Sequence, residues 1–277
     1  MGETWTAIQK RRLHELNASV DMERTFADCT LRDQAYREEE ARGVCNGRRH
    51  LETLRQLERR PGLIRLAEKL AAALIAEGFT QVVTPTMISK RMLAKMTIDE
   101  THPLFSQVFW LSRNQCLRPM LAPNLYYVSK DLLRLWPSPV RIFEIGSCFR
   151  KESQGSTHLN EFTMLNLVEW GLPKEERCVH LKHFAELVMQ TADLSDFSLK
   201  TETSVVYGDT VDVICRGIEA ASGAVGPHPL DGQWGITSTW VGLGFGLERL
   251  LMLQRGGQNV KGYSKSISYL DGVRLNI

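Results

Sequence analysis

No run in this 277-residue sequence approaches the ~18 consecutive apolar residues of a membrane-spanning helix. The opening MGETWTAIQKRRLHEL is acidic early and lacks the apolar core of a secretory leader. Met1-Gly2 could begin an acylation signal, but Trp5 and Ala7 do not continue it. The six cysteines, Cys29, Cys45, Cys116, Cys148, Cys178 and Cys215, form no CxxC pair and no Cys/His cluster at zinc spacing. They are expected to be reduced and mostly buried thiols of a soluble, cytoplasmic protein. Neither sign of charge is in excess. With 34 Lys+Arg against 32 Asp+Glu the net charge is +2, so gross electrostatics neither demand nor exclude a nucleic-acid partner. Any RNA contact must rest on local patches. Internal repeats and low-complexity tracts are also missing.

The length suits one large domain or about two. Residues 1–60 are rich in charge and poor in strand signals, and TWTAIQKRRLHELN and ERTFADCTLRDQAYREEEARG read as helices. Twelve basic residues face eleven acidic ones there, which fits a solvated helical appendage as well as a tRNA-docking region. From Pro61 the pattern sharpens. PGLIRLAEKLAAALIAEG places Leu63, Leu66, Leu70 and Leu74 on one helical stripe, with Gly78 as its stop. TQVVTP reads as a short strand halted by Pro85, and CLRPML as another. LAPNLYYVSKDLLRLW reads as a helix whose inner stripe is Leu125, Val128, Leu132 and Leu135. VRIFEIGSCFRKE and NEFTMLNLVEW read as antiparallel strands around a Ser/Gln/Gly/Ser/Thr loop. A helix over about 174–192 follows, then strand pieces at SVVYG, TVDVICRG and EAASGAVG, a glycine-rich strand WVGLGFG, and a helix LERLLMLQRG. Consecutive antiparallel strands with interspersed helices predict an α+β fold, not a doubly wound parallel sheet.

Two stretches carry chemistry. In FRKESQGSTHLNEFTMLNL, residues two apart share a strand face, so Arg150 and Glu152 point one way, as do Phe162, Met164 and Asn166. One face of the hairpin then offers a guanidinium suited to phosphate, a carboxylate, an aromatic plane and an amide. A surface Arg150–Glu152 pair beside a buried Phe162 and Met164 fits the hairpin equally well. WVGLGFGLERLL, Trp240 to Leu251, tips that balance. Gly242, Gly244 and Gly246 are evenly spaced, unlike a dinucleotide fingerprint, and leave a strand face bare enough for a flat ligand to lie on. Arg249 falls in the first turn of the helix that follows, where exposed amides favour an anion.

FRKE with its loop and Phe162 resembles the second signature motif of class II aminoacyl-tRNA synthetases, and GLGFGLER resembles the third. GFTQVVTP is similar to a degenerate first motif, which builds the dimer interface in that class. The strings LRPMLAPNLY, FEIGSCFRKES, EFTMLNL, VYGDTVDV and GFGLERLL resemble the catalytic domain of pyrrolysyl-tRNA synthetases, from about Gly62 to the C-terminus and more loosely upstream. The resemblance implies a class II catalytic fold over 61–277, an antiparallel sheet flanked by helices, behind a helical tRNA-docking region over 1–60. It implies ATP and Mg²⁺ as cofactors and pyrrolysine and its tRNA as partners of a homodimer.

By the same resemblance, Arg150 holds the α-phosphate and the substrate carboxylate, and Glu152, His158 and Leu159 help to seat ATP. Phe162 and Arg249 sandwich the adenine, and Glu219 and Ser222 in EAAS hold Mg²⁺ through oxygen. Arg150 and Arg249 are the catalytic residues. Ala122, Leu125, Tyr126, Val168, Trp240 and Gly242 wall the amino-acid pocket with no formal charge among them, which suits a long uncharged side chain. Asn166 reads the pyrrolysine side-chain amide and Tyr207 covers its ring. Attack of an amino-acid carboxylate on the α-phosphorus needs no protein base, so none is assigned. Two departures stand out. The long basic N-terminal domain of larger family members has no counterpart, so that domain is expected either as a separate tRNA-binding partner protein in trans or not at all. Ser129, one turn beyond Tyr126, stands where a bulky apolar residue is expected. Three rival readings share parts of the pattern: a class II ligase for another amino acid, a ligase acting on something other than tRNA, and a synthetase-like binding protein without catalysis.

Overall fold

The structure is a computed structural model that describes residues 2–151, 159–204 and 206–277. At the N-terminus β1 (Glu3–Thr4) pairs antiparallel with β2 (Thr25–Phe26). Between them α1 (Ala7–Glu15) begins on a capping box, in which Thr6 and Gln9 satisfy each other's backbone N–H. α2 (Cys29–Thr53) starts at Asp28, whose side chain accepts from the Leu31 N–H at 2.9 Å. It buries no residue fully, as its mixed charge predicts. Trp5, Leu13 and Phe26 form a small core of their own, with Trp5 edge-on to Phe26 at 4.5 Å.

α3 (Gly62–Ala76) buries Leu66, Leu70 and Leu74 as predicted. It ends at Gly78, whose φ of +90° lets the Phe79 N–H reach back to the Leu74 carbonyl at 2.9 Å. The predicted strand TQVVTP shortens to β3 (Thr80–Gln81). Just beyond it, Thr84 donates through its N–H and hydroxyl to Glu144 (3.2 and 2.6 Å), so the chain leaves the ladder for a polar network. β4 (Met87–Ser89) leads through α4 (Lys90–Ala94) to β5 (Gln115–Leu117), with which it pairs. The predicted strand CLRPML stops at Leu117 because Arg118 turns inward to the same network, bonding Glu144 at 2.8 Å with both side chains almost inaccessible.

α5 (Ala122–Leu135) turns Leu125, Val128 and Leu132 of the expected stripe toward the core, but Leu135 is 74% exposed and Tyr126 and Ser129 are buried as well. Tyr126 stacks on Trp234 at 5.5 Å and meets Trp170 edge-on, so an aromatic cluster sets the rotation of the helix. β6 (Val140–Phe149) and β7 (Glu161–Trp170) form the long central hairpin. α6 (Arg177–Thr191) comes next, then β8 (Phe197–Ser204), β9 (Gly208–Cys215) and β10 (Ile218–Gly226). In SVVYG, expected as strand, Ser204 ends β8 and Val206 and Tyr207 lie in the turn before β9. Ser204 Oγ accepts from the Val206 and Tyr207 N–H groups (3.2 and 3.0 Å), and this side-chain turn overrides the β-propensity of the segment. α7 (Asp231–Trp234), β11 (Trp240–Gly246), α8 (Leu247–Gln254) and the ribbon of β12 (Tyr269–Leu270) with β13 (Val273–Arg274) complete the chain.

The main sheet has the order β3-β6-β7-β11-β10-β9-β8 and is antiparallel except at β3–β6, which is the predicted α+β arrangement. Phe143, Leu165, Leu167, Leu243 and Phe245 face α3, α6 and α8 on one side. The other side, under α5 and α7, carries the cavity described below. Of the cysteines only Cys116, Cys148 and Cys215 are buried, while Cys29, Cys45 and Cys178 lie exposed on α2 and α6. Among the described residues no helix is long and apolar enough to cross a membrane.

A buried carboxylate joins the N-terminal unit to this frame. Asp271 accepts from His50 of α2 (3.0 Å), from the Gly62 N–H at the start of α3 (2.7 Å) and from Arg255 after α8 (3.0 Å). Burial pushes its pKa up, but the bonds from His50 and Gly62 and the Arg255 charge outweigh burial and hold the carboxyl at about 2.

Candidate active site

Antiparallel partners share a face, so the register of the sheet lays out the floor of a cavity in rows. Val140, Trp170, Trp240 and Gly226 pair across the first row, and Ile142, Val168, Gly242 and Ala224 across the second. The third is polar: Glu144, Asn166, Gly244, Ser222 and Asp212. Beyond it lie Met164 opposite Gly246, then Phe162. The strand floor therefore passes from aromatic through apolar to polar. The bare strip is the β11 glycine row, as the alternation predicts; a Cβ on Gly244 would meet Met164 Cε at 2.9 Å.

The cavity above this floor encloses about 580 Å³. It brings together Arg150, Leu159, Phe162, Glu219, Ser222 and Arg249 at one end and Ala122, Leu125, Tyr126, Val168, Tyr207, Trp240 and Gly242 at the other, with Asn166 between. Glu152 and His158 lie outside the described residues. Arg150 is aimed by a bond from Nε to the Pro119 carbonyl (2.8 Å), and its guanidinium carbon stands 5.3 Å from the centre of the Phe162 ring. Arg249 donates to the Glu219 carbonyl (2.6 Å), with the Glu219 carboxylate 3.7 Å away. Asn166 Nδ2 donates to the Leu243 carbonyl (3.0 Å) and more weakly to the Leu167 carbonyl (3.5 Å), which leaves Oδ1 for a ligand.

Three carboxylates at the site, Glu248 within GLGFGLER among them, go beyond the site residues expected from the sequence. Glu248 is buried under the floor, where both of its oxygens accept the Thr163 N–H (2.8 and 2.9 Å), and burial raises its pKa. Asp212 lines the cavity beside Ser222, and its Oδ1 is buried without a hydrogen-bond partner. Asp231, 2% exposed, accepts from Tyr126 OH (2.8 Å) and Trp240 Nε1 (2.9 Å) and so sits behind two walls of the apolar end. Burial drives the Tyr126 phenol pKa up, so its hydroxyl stays protonated and donates. The tilted Trp170 and Trp240 rings, 5.7 Å apart, complete the wall. The side chains at this end offer aromatic and aliphatic surface with no exposed charge; the cations gather at the opposite end.

Residues 53–271 match the family described as tRNA synthetases class II core domain (F). Two solved structures of pyrrolysyl-tRNA synthetase from Desulfitobacterium hafniense are similar over the whole chain. One is 59% identical with a TM-score of 0.95, covering 100% of both chains. The other is 57% identical with a TM-score of 0.93, covering 100% of this chain and 96% of that one. The chain belongs to the pyrrolysyl-tRNA synthetases, within the class II synthetases.

Proposed function

We propose that this protein activates pyrrolysine with ATP, forming the aminoacyl-adenylate with pyrophosphate as the leaving group, and transfers the acyl group to the amber-suppressor tRNA for pyrrolysine. The observation that carries the reading is the polarity of the cavity. A long, uncharged side chain fits between Tyr126, Trp170 and Trp240, which sets its carboxylate toward Arg150. That carboxylate is already an anion, so catalysis needs placement and charge stabilisation without a base. Arg150 serves the α-phosphate and Phe162 the adenine face. Arg249, pinned to the backbone of β10, serves the nucleotide from the other side. Asn166 presents its Oδ1 acceptor to the substrate amide.

The donors present fit Mg²⁺. Glu219 and Ser222 supply hard oxygen, and the partnerless Asp212 Oδ1 lies next to Ser222. Among the described residues no group of three or more His, Cys, Asp or Glu is assembled for a metal, which suits an ion that shares its shell with nucleotide phosphates. When bound, Mg²⁺ neutralises charge on those phosphates. We assign residues 1–60 to tRNA docking, residues 61–277 to catalysis and the protein to the cytoplasm. The homodimer is supported by the apolar side chains Val83 and Met87, 87% and 58% exposed, which flank Pro85 in the segment similar to the first motif.

ATP–pyrophosphate exchange with Mg²⁺, offering pyrrolysine and the standard amino acids separately, tests the reading. Exchange with pyrrolysine alone is the expected result. Exchange with another amino acid keeps the class and overturns the substrate, and no exchange from folded, ATP-binding protein overturns the activity.

A further inference from the structure

We propose that Asp231 and His228 are positioning residues that latch the β8–β9 turn to the aromatic wall of the pocket and thereby set affinity for the amino acid; this rests on the pyrrolysine reading above. Neither side chain lines the cavity, so both act through neighbours that do. The Asp231 carboxylate gathers three neutral donors: Tyr126 OH on Oδ1, and Trp240 Nε1 with the His228 N–H (2.6 Å) on Oδ2. These come from α5, β11 and the segment ahead of α7. A buried anion thus orients two pocket walls against each other.

The His228 ring extends the chain of contacts to the third wall. Its Nδ1 accepts the Leu230 N–H at 3.1 Å, so Nδ1 carries no proton. Nε2 therefore carries it and donates to the Tyr207 carbonyl at 3.1 Å. The Tyr207 ring meets His228 edge-on at 5.6 Å and Trp240 at 5.8 Å. Tyr207 is held by its carbonyl and by both rings, and the latch closes on Asp231 through the His228 backbone. Tyr126, Trp240 and Tyr207, three aromatic walls of the apolar end, are thus each tied to Asp231 or His228, which lie outside the cavity lining.

The test joins a measurement on the free protein to kinetics. In His228→Ala, hydrogen exchange of the Val206 to Asp209 amides should accelerate about 10-fold while the central strands are unchanged, the effect of losing one hydrogen bond from a local closure. In ATP–pyrophosphate exchange the same variant should raise KM for pyrrolysine about 5- to 10-fold and leave KM for ATP unaltered. Asp231→Ala should do the same more strongly. Asp231→Asn should restore most of the affinity, because its Oδ1 can take the two N–H donors while Tyr126 OH rotates to accept from the amide. Unchanged turn exchange in His228→Ala overturns the latch, and so does an equal rise of both KM values. If the wild-type protein does not activate pyrrolysine, the function reading fails and hydrogen exchange alone decides the latch. Should Asp231→Ala fail to fold, His228→Ala still decides it.

Discussion

A methyl group added at Gly226 should cripple the pocket without touching the ligand. An ideal Cβ there falls 1.9 Å from Trp240 Nε1, 2.2 Å from Cδ1 and 2.5 Å from Cε2. Ordinary carbon contacts need about 3.5 Å, so the indole has to retreat by roughly 1.5 Å. It cannot retreat freely. Trp240 is 3% exposed, bonded to Asp231, and packed among Tyr126, Trp170 and Tyr207. Overpacking of this kind costs about 1–3 kcal/mol, and loss of the Trp240–Asp231 bond adds about 1 kcal/mol. Gly226→Ala should therefore lose on the order of 2–4 kcal/mol in urea unfolding and raise KM for pyrrolysine well above that for ATP. Gly232→Ala is the control, since nothing lies within 4 Å of its Cβ and a helical Gly→Ala change gains up to about 1 kcal/mol. Wild-type stability and pyrrolysine KM in Gly226→Ala would refute the packing described for this wall.

Arg150→Ala should lower the rate of adenylate formation by about 100-fold or more in single-turnover experiments, while loss of its bond to Pro119 costs only about 1 kcal/mol of stability. Asn166→Ala should raise KM for pyrrolysine selectively, and an equal loss of ATP affinity in exchange assays would assign it to the scaffold. Asp271→Asn should cost about 2 kcal/mol at pH 7, from a folded carboxyl at about 2 against an ordinary 3.8. Because the folded value is depressed, this stabilisation is complete above the ordinary pKa and fades as pH falls through about 2. The gap between the wild-type and variant urea midpoints should shrink from pH 4 downward, and a gap that widens there contradicts the Asp271 network.

Features with a short period were legible in the sequence. Alternate glycines gave the bare strip of β11, and residues two apart gave the Phe162, Met164 and Asn166 face of β7. The α3 stripe emerged for the same reason. Features set by distant partners were hidden. Tyr126 and Asp231 are 105 positions apart, and no local pattern marks an aspartate on a four-residue helix as the anchor of two pocket walls. On α5 the stripe holds for Leu125, Val128 and Leu132 and fails at Leu135, and the burial of Tyr126 is invisible locally because its partners are distant tryptophans. SVVYG reads as strand from Val-Val-Tyr, and the Ser204 hydroxyl holds Val206 and Tyr207 in a turn. Asn166 was readable as an amide at the site; that one of its N–H groups is spent on Leu243 was not.

The Asp271 junction makes the two ends of the molecule mechanically continuous. Arg255 follows α8 directly, and Arg249 stands on that helix six residues earlier, about 9 Å along the axis. His50 of α2 and Arg255 share one carboxylate oxygen. α2 cannot shift relative to α8 without breaking that shared bond, so load applied to the N-terminal helices reaches the strut that carries Arg249 into the nucleotide end of the cavity.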